Sequence, residues 1–340
     1  MSKTFVCLPT RNDAWIIERV LASASLWADH IIVADENSWD GTQEICKKFP
    51  KVTVVSFEPK AFNESYRRKV LLETVRQWDG QNLIFGLDSD EILSSEILDP
   101  KIRTDLEEKI QPGMSAMFQW IMLWKNAKDY RYDSLPEWSN SFKHFAYRDN
   151  RKLQFDDVHM HSSRVPETAA ANAVIFKDVR VLHYAFAEWD RMMAKHAYYL
   201  ALEKTMGSKV HPYILNRKYR WFYRKSSEGI VVKQVPKEWV GLYEVNNVKV
   251  TQEIIKDKFY WYDAEVLRFF KTFGPSYFKR LNIWDTNWEE KRLVAQEKGE
   301  KGIIETNIAC PQSWYDRLYY KYLQTLLDQG GVADVLLGKK

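Results

Sequence analysis

The 340-residue sequence is poor in cysteine, and its Cys7, Cys46 and Cys310 are far apart with no CxxC pair. That spacing excludes a disulfide framework and a zinc ribbon, and it points to a reducing compartment. No stretch approaches the roughly 18 to 20 apolar residues that cross a bilayer. The N-terminal MSKTFVCLPTRND runs into a strand-like segment without an apolar signal core. The expected location is therefore cytoplasmic, at most peripheral to a membrane. There is no internal repeat and no low-complexity segment; QEKGEKG, residues 296–302, is the best linker candidate. Charge of one sign is also scarce, with a net of +4, but it is uneven. Residues 190–280 hold 18 Lys/Arg against 9 Asp/Glu, so the rest of the chain is acidic by 5.

What the chain has is size and aromatic surface. Its length exceeds the common single-domain range, so one large domain with an appendage, or two domains, is expected. Hydrophobic content of 45% and charged content of 28% suit a globular core. The 14 Trp, 18 Tyr and 17 Phe are unusually many; such rings stack on sugars or bases, although most simply fill cores.

The order of patterns predicts an α/β fold. KTFVCLP reads as a strand ending at Pro9, and Ile16, Ile17, Val20, Leu21 and Ala24 then recur at helical spacing, with Asp13 placed to cap. HIIVADE is a second strand, NSWDGT a turn, and TQEICKKF a helix started by Thr42 and Glu44. KVTVVSF, NESYRRKVLLETVRQW and NLIFGLDSDEIL continue as strand, helix and strand. Such alternation means crossover connections, a mostly parallel sheet and helices on both faces. Beyond Leu98 the expected strands are AMFQWIMLW, KHFAYRDN, RKLQFDDVHMH and KDVRVLHYAF, then a long helix EWDRMMAKHAYYLALEKTM. Further helices are expected at VTQEIIKDKFYWYDAEVLRFFKTF and SWYDRLYYKYLQTLLDQ. Three parts follow: 1–98, 99–187 and a helical, basic-aromatic 188–340.

Ligands bind outside the carboxyl ends of strands in such sheets, and the fourth strand delivers Asp88, Asp90 and Glu91 to one such end. An Asp-x-Asp there can hold a divalent cation through hard oxygens and leave positions for phosphate. Acidic strand-to-loop turns are common by themselves, so the neighbouring strand ends decide.

Three of them carry a pattern. Pro9, Thr10, Arg11 and Asn12 close the first strand, DENSWDGT closes the second, and Leu87, Asp88, Ser89 and Asp90 close the fourth. In this order they resemble the family-2 glycosyltransferases of the nucleotide-sugar type, whose fold is labelled GT-A, a Rossmann-like α/β sheet. Glu36 and Asn37 depart from the second pattern, where the family has Asp and Gly. The resemblance implies that Pro9, Thr10, Arg11 and Asn12 line the nucleotide pocket and that Asp35 or Glu36 meets the base or ribose. It further implies that Arg67 or Arg68 faces the nucleotide or its diphosphate, that Asp88, beside Ser89, reaches the ribose or the metal, and that Asp90 ligates Mn2+ or Mg2+. The bland alternatives are turn chemistry for Asp35 and Asp40 and a solvated helix face for the arginines. VLHYAFAEWDRMMAKHAYYLALE is similar to a segment of the lipopolysaccharide-core-type members, in which a histidine often completes the metal shell; His183 holds that place.

His159 and His161 share one face if their segment is a strand, and the relatives carry a His-Glu pair near here where this chain has Met160 and Ser162. The general base is thus open among Asp156, Asp157 and Glu137, with Asp157 preferred. The expected reaction is sugar transfer from a UDP- or GDP-linked donor to a hydroxyl, with inversion inferred from the family. The stretch LNRKYRWFYRKSS, Leu215 to Ser227, interleaves cations and aromatics and fits a nucleic-acid backbone, an anionic membrane surface or a helix that simply buries its rings. The acceptor is therefore a glycan or a base in nucleic acid, as in viral DNA glycosylation. A nucleotidyltransferase, or a non-catalytic sugar- or nucleic-acid-binding module, are the readings from other classes.

Overall fold

The first strand β1, Thr4–Thr10, is buried along almost its whole length and splits its side chains by period two. Val6 and Leu8 enter one apolar cluster, Phe5 and Cys7 the other. Its neighbours β2, His30–Asp35, and β4, Leu83–Gly86, do the same, with Ile31, Val33, Leu83 and Phe85 on one face and Ile32, Ala34 and Ile84 on the opposite one. A strand buried on both faces needs a helical layer on each. Helix α1, Ile17–Ser25, supplies one with Ile17, Val20, Leu21 and Ala24, and α3, Glu64–Val75, supplies the other with Leu71, Leu72 and Val75.

These features come from a computed structural model, which describes residues 2–57, 63–132, 141–158, 162–207, 211–224, 230–319 and 322. The remaining elements of the first unit are α2, Thr42–Cys46; β3, Val52–Ser56; β5, Glu91–Leu93; and α4, Pro100–Lys109. After them come β6, Ser115–Met122; β7, Asp129–Arg131; β8, Phe142–Arg148; α5, Glu167–Ala170; and β9, Ala173–His183. One eight-stranded sheet has the order β3-β2-β1-β4-β8-β6-β9-β5. The β3-β2-β1-β4 half is parallel, β8 runs antiparallel to β4 and β6, β9 is parallel to β6, and β5 is antiparallel to β9. The α/β class expected from the alternation is the class observed.

The chain forms two compact units, Met1–Glu188 with Val231–Ile255, and Trp189–Ile230 with Lys256–Lys340. The segment Val231–Ile255, expected in the C-terminal part, packs with the first unit. Its strand β10, Val232–Gln234, pairs with β7, and α8, Lys237–Val245, sends Trp239, Val240 and Tyr243 into the first core. The Tyr243 hydroxyl donates to the Leu93 carbonyl at 2.9 Å.

In the second unit α6, Trp189–Thr205, α7, Pro212–Arg224, α9, Trp261–Phe273, and α10, Trp288–Glu297, share a separate aromatic core that includes Tyr198, Tyr219, Tyr262, Phe270 and Trp288. Among the described residues no helix is long and apolar enough to cross a membrane.

Several local expectations change. Asp13 does not cap α1 with its side chain; its carbonyl accepts from Ile16 and Ile17 while its carboxylate turns to other strand ends. Helix α2 is started by Asp40, which accepts from the Thr42 N–H at 3.1 Å, rather than by Thr42 and Glu44. Residues 152–158 join no strand ladder, so the expected strand RKLQFDDVHMH is absent there. The period-two signal was real, because Leu153 and Phe155 alternate into the core beside Tyr147. No ladder accompanies it. The helix expected from Val250 starts only at Trp261, where the Tyr260 and Asp263 side chains form a capping box. The candidate linker 296–302 begins inside α10 and continues as a turn.

Candidate functional site

Parallel pairing brings Thr10 level with Asp35, and Cys7 level with Gly86, so the carboxyl ends of β1, β2 and β4 open on one edge. Asp13 ties these ends together. Its Oδ2 accepts from the Thr10 hydroxyl at 2.9 Å and from the Ser89 hydroxyl at 2.5 Å, and its N–H donates to Thr42 at 2.9 Å. Asn12, in the left-handed region at φ 54, receives the Trp39 N–H at 2.9 Å and donates its own N–H to the Ser38 hydroxyl at 2.8 Å. Pro9 and Thr10 lie within the strand end, and Thr10 and Asn12 are buried. These residues build the loops, and the Arg11 guanidinium stands over the Trp39 ring at 5.6 Å.

Asp35 is wholly buried at the end of β2. Its Oδ2 accepts from the Ser38 N–H and Gln43, and its Oδ1 has no partner among the described residues. A buried oxygen left without a donor costs about 1–3 kcal/mol, so this corner favours a ligand or water that donates.

Helix α3 organises the rest. It is capped by Asn63, which accepts from the Tyr66 N–H at 2.9 Å, and its first turns point polar groups at three different connections. The Glu64 carboxylate receives the Ser162 N–H at 2.9 Å, and the Ser65 hydroxyl reaches Asp157 at 3.3 Å. Arg67 pairs with Glu36 at 2.9 Å, and Arg68 donates to Asp88 at 2.8 Å. Burial pushes the Glu36 carboxyl up, opposed by Arg67 and Arg11.

The acidic end of β4 is met by guanidiniums from elsewhere in the chain. Arg164, 76 residues away in sequence, donates to the second oxygen of Asp88 at 2.5 Å and to Glu91 at 2.7 Å. Glu91 is fully buried and also accepts from the Asp88 N–H and the Trp120 indole, both at 2.8 Å. Burial works against charge on Asp88, but the Arg164 and Arg68 guanidiniums overcome it and hold the carboxyl well below the usual carboxylate range. One edge of Asp88 stays open, with 36% of its side chain exposed. Nothing in the sequence singled out Arg164. The available hint was Gly86 in a buried strand, since a Cβ there would lie 2.8 Å from the Arg164 carbonyl oxygen.

Asp90 and His183 meet through a second pairing. In the β5 and β9 ladder Glu91 stands opposite His183, and the Tyr184 N–H donates to the Asp90 carbonyl at 2.9 Å. This sets His183 Nε2 3.3 Å from Asp90 Oδ1, with both side chains nearly buried. Trp120 stacks on the imidazole at 4.9 Å, and Met122 Sδ lies 3.1 Å from Nδ1, so the ring is held with Nε2 toward the acid. Among the described residues no group of three or more His, Cys, Asp and Glu is gathered around one point. A hard oxygen and an imidazole nitrogen nonetheless fit as two ligands of Mn2+ or Mg2+, which keep further positions for water and phosphate. Asp88 differs, because each of its oxygens already accepts from a guanidinium.

Two of the three acids considered as bases, Asp156 and Asp157, lie on the 152–158 segment and are exposed. Asp157 has 72% of its side chain exposed and stands 3.6 Å from Lys69. That segment is anchored by Arg76, which donates twice to the buried Asp149 at 2.8 Å and once to the Leu153 carbonyl. His159, His161 and Glu137 lie outside the described residues.

In the second unit, the first part of the basic-aromatic stretch serves its own packing. Asn216 bonds the Arg280 carbonyl and the Asn282 N–H, Tyr219 stacks on Tyr199 and bonds Glu203, and Lys218 pairs with Glu203 at 2.7 Å.

The glycosyl transferase family 2 model matches residues 5–160. No curated protein matches the chain. Among solved structures, the chain is similar to glucosyl-3-phosphoglycerate synthase from Mycobacterium tuberculosis at 20% identity and TM-score 0.26, over 36% of this chain and 44% of that one. It is also similar to HddC from Yersinia pseudotuberculosis at 12% identity and TM-score 0.31, over 60% and 99% of the two chains. A nucleotidyl transferase from Methanothermobacter shows 17% identity and TM-score 0.27, over 37% and 68%. The first of these is thus matched over less than half of its own length. The matched residues 5–160 carry all three patterned strand ends.

Proposed function

We propose that the chain is a glycosyltransferase that moves a sugar from a nucleoside diphosphate, UDP- or GDP-linked, to a hydroxyl of a glycan, with inversion at the anomeric carbon. The observation that carries this reading is the meeting, at one sheet edge of a family-2 domain, of the Asp90–His183 pair with Asp88 held between two guanidiniums. The nucleoside half belongs beside Asp35, whose unpartnered oxygen takes a donor, and beside Arg11 and Arg67. Arg68 and Arg164 supply positive charge for the diphosphate.

Asp90 and His183 would hold Mn2+ or Mg2+, which would supply stabilisation of negative charge on the departing diphosphate. The acceptor oxygen forms the new bond to the anomeric carbon as the bond to the diphosphate breaks. The hydroxyl proton passes to a carboxylate, for which we favour Asp157 over Asp156 because Ser65 orients it. A glycan acceptor is preferred over nucleic acid because Asn216, Lys218 and Tyr219 are committed to contacts within their own unit.

The test is incubation with a panel of nucleotide sugars, Mn2+ and glycan acceptors, following nucleoside diphosphate release and the anomeric configuration of the product. The reading predicts diphosphate release and an inverted linkage. Pyrophosphate release from a nucleoside triphosphate would mark a nucleotidyltransferase instead. Failure to bind or turn over any nucleotide sugar would mark a non-catalytic module.

A further inference from the structure

Glu91, Asp88 and Arg164 form a cluster that a cation site does not require. Arg164 lies across Phe145 and Trp120, with its guanidinium carbon 4.9 and 5.2 Å from the two ring centroids. Its carbonyl oxygen lies 2.8 Å from where a Cβ on Gly86 would sit, and its Nη2 bridges Asp88 and Glu91. Two aromatic faces, a bare strand residue and a buried acid therefore fix one guanidinium against one oxygen of Asp88, while Arg68 takes the other oxygen. Among the described residues, Asp88 and Glu91 are matched by guanidiniums, and Asp90 faces the His183 imidazole.

Resting on the donor-site reading above, we infer that Arg164 is a positioning residue that sets the charge of this site: it reserves Asp88 for the guanidinium pair and leaves the cation to Asp90 and His183. A bare acidic triad would hold a divalent ion tightly and repel a diphosphate. With Arg164 in place the same edge accepts both, because each added positive charge weakens attraction for a cation and strengthens attraction for an anion. Removing the Arg164 charge must therefore move the two affinities in opposite directions. A residue that merely supported the fold would lower both.

The experiment measures Mn2+ binding, from the electron paramagnetic resonance signal of the free ion, and metal-free binding of uridine and guanosine diphosphate by calorimetry. Wild type, Arg164→Gln, Arg164→Lys and Asp90→Ala are compared, each checked for an intact melting transition. Gln keeps a donor for Asp88 and Glu91 but no charge, and it is expected to bind Mn2+ roughly tenfold more tightly and the diphosphate roughly tenfold more weakly. Lys keeps the charge and is expected to stay within about threefold of wild type for both ligands. Should the Gln variant fail to fold, a Lys variant that departs by more than this in its Mn2+ affinity overturns the inference, and one that stays within it supports it. Loss of both affinities in Arg164→Gln, or an unchanged Mn2+ affinity, also overturns it. If Asp90→Ala binds Mn2+ as wild type does, the donor-site reading itself fails and this inference with it; if only Asp90→Ala loses Mn2+ and Arg164→Gln gains nothing, this inference alone fails.

Discussion

His183 stands 3.3 Å from Asp90 because β5 and β9 pair antiparallel with Glu91 opposite His183. The contact joins residues from distant parts of the chain through backbone register, and stacking on Trp120 then fixes the ring. On the proposed reading, a pair made in this way would be positioned before any ion arrives, which is what an electrostatic role demands.

Gly86 is the narrowest point of the arrangement. An alanine there would set its Cβ 2.8 Å from the Arg164 carbonyl oxygen, a backbone atom that cannot swing aside. Gly86→Ala should cost about 1–3 kcal/mol and loosen Arg164 from Asp88. Urea unfolding followed by tryptophan fluorescence measures it, and a variant within 0.3 kcal/mol of wild type, roughly the scatter of such data, would show that the 162–165 segment yields freely.

Asp157 is the favoured acceptor-side base. Asp157→Asn should leave donor KM unchanged and lower kcat by about a hundredfold or more, the usual scale of general-base assistance. A kcat within threefold of wild type, with Asp156→Asn showing the large loss instead, would move the role to its neighbour.

In the second unit Glu289 binds Arg292 through both oxygens and receives the Ile308 N–H at 2.8 Å. Hydrogen bonds from Arg292 and then from Ile308 bring its pKa down to about 2. A carboxyl depressed on folding stabilises above its unfolded pKa, and that contribution is lost as pH falls through the folded one. The stability gap between wild type and Glu289→Gln should thus be constant near neutrality and close between about pH 4.5 and about pH 2. Melting curves across that range check it; a gap that persists at pH 2 would exclude the linkage.

Much of the first unit could be read from sequence because its physics is local. β1, β2 and β4 announce themselves by apolar runs, α1 by its 3.6 spacing, and the strand-end motifs by residue type. Arg164 could not be read this way. It comes from a segment with neither helical nor strand periodicity, and its meaning depends on a sheet that places Gly86, Trp120 and Phe145 around it. The 152–158 segment, which joins no ladder, shows the converse failure: Leu153 and Phe155 alternate into the core as a strand would, while strand pairing depends on neighbours the sequence does not display. The return of Val231–Ile255 to the first unit was hidden for a similar reason, since Trp239, Val240 and Tyr243 look like any amphipathic helix until their partners Tyr130 and Leu93 are known.

The central claim is that the Asp90–His183 edge takes a metal-bound nucleoside diphosphate, and ligand-induced thermal stabilisation tests it most directly. Uridine or guanosine diphosphate with Mn2+ should raise the melting temperature of the wild type, and Asp90→Ala, melting normally without ligand, should lose that rise. An Asp90→Ala protein that responds to diphosphate and Mn2+ as the wild type does would contradict the account.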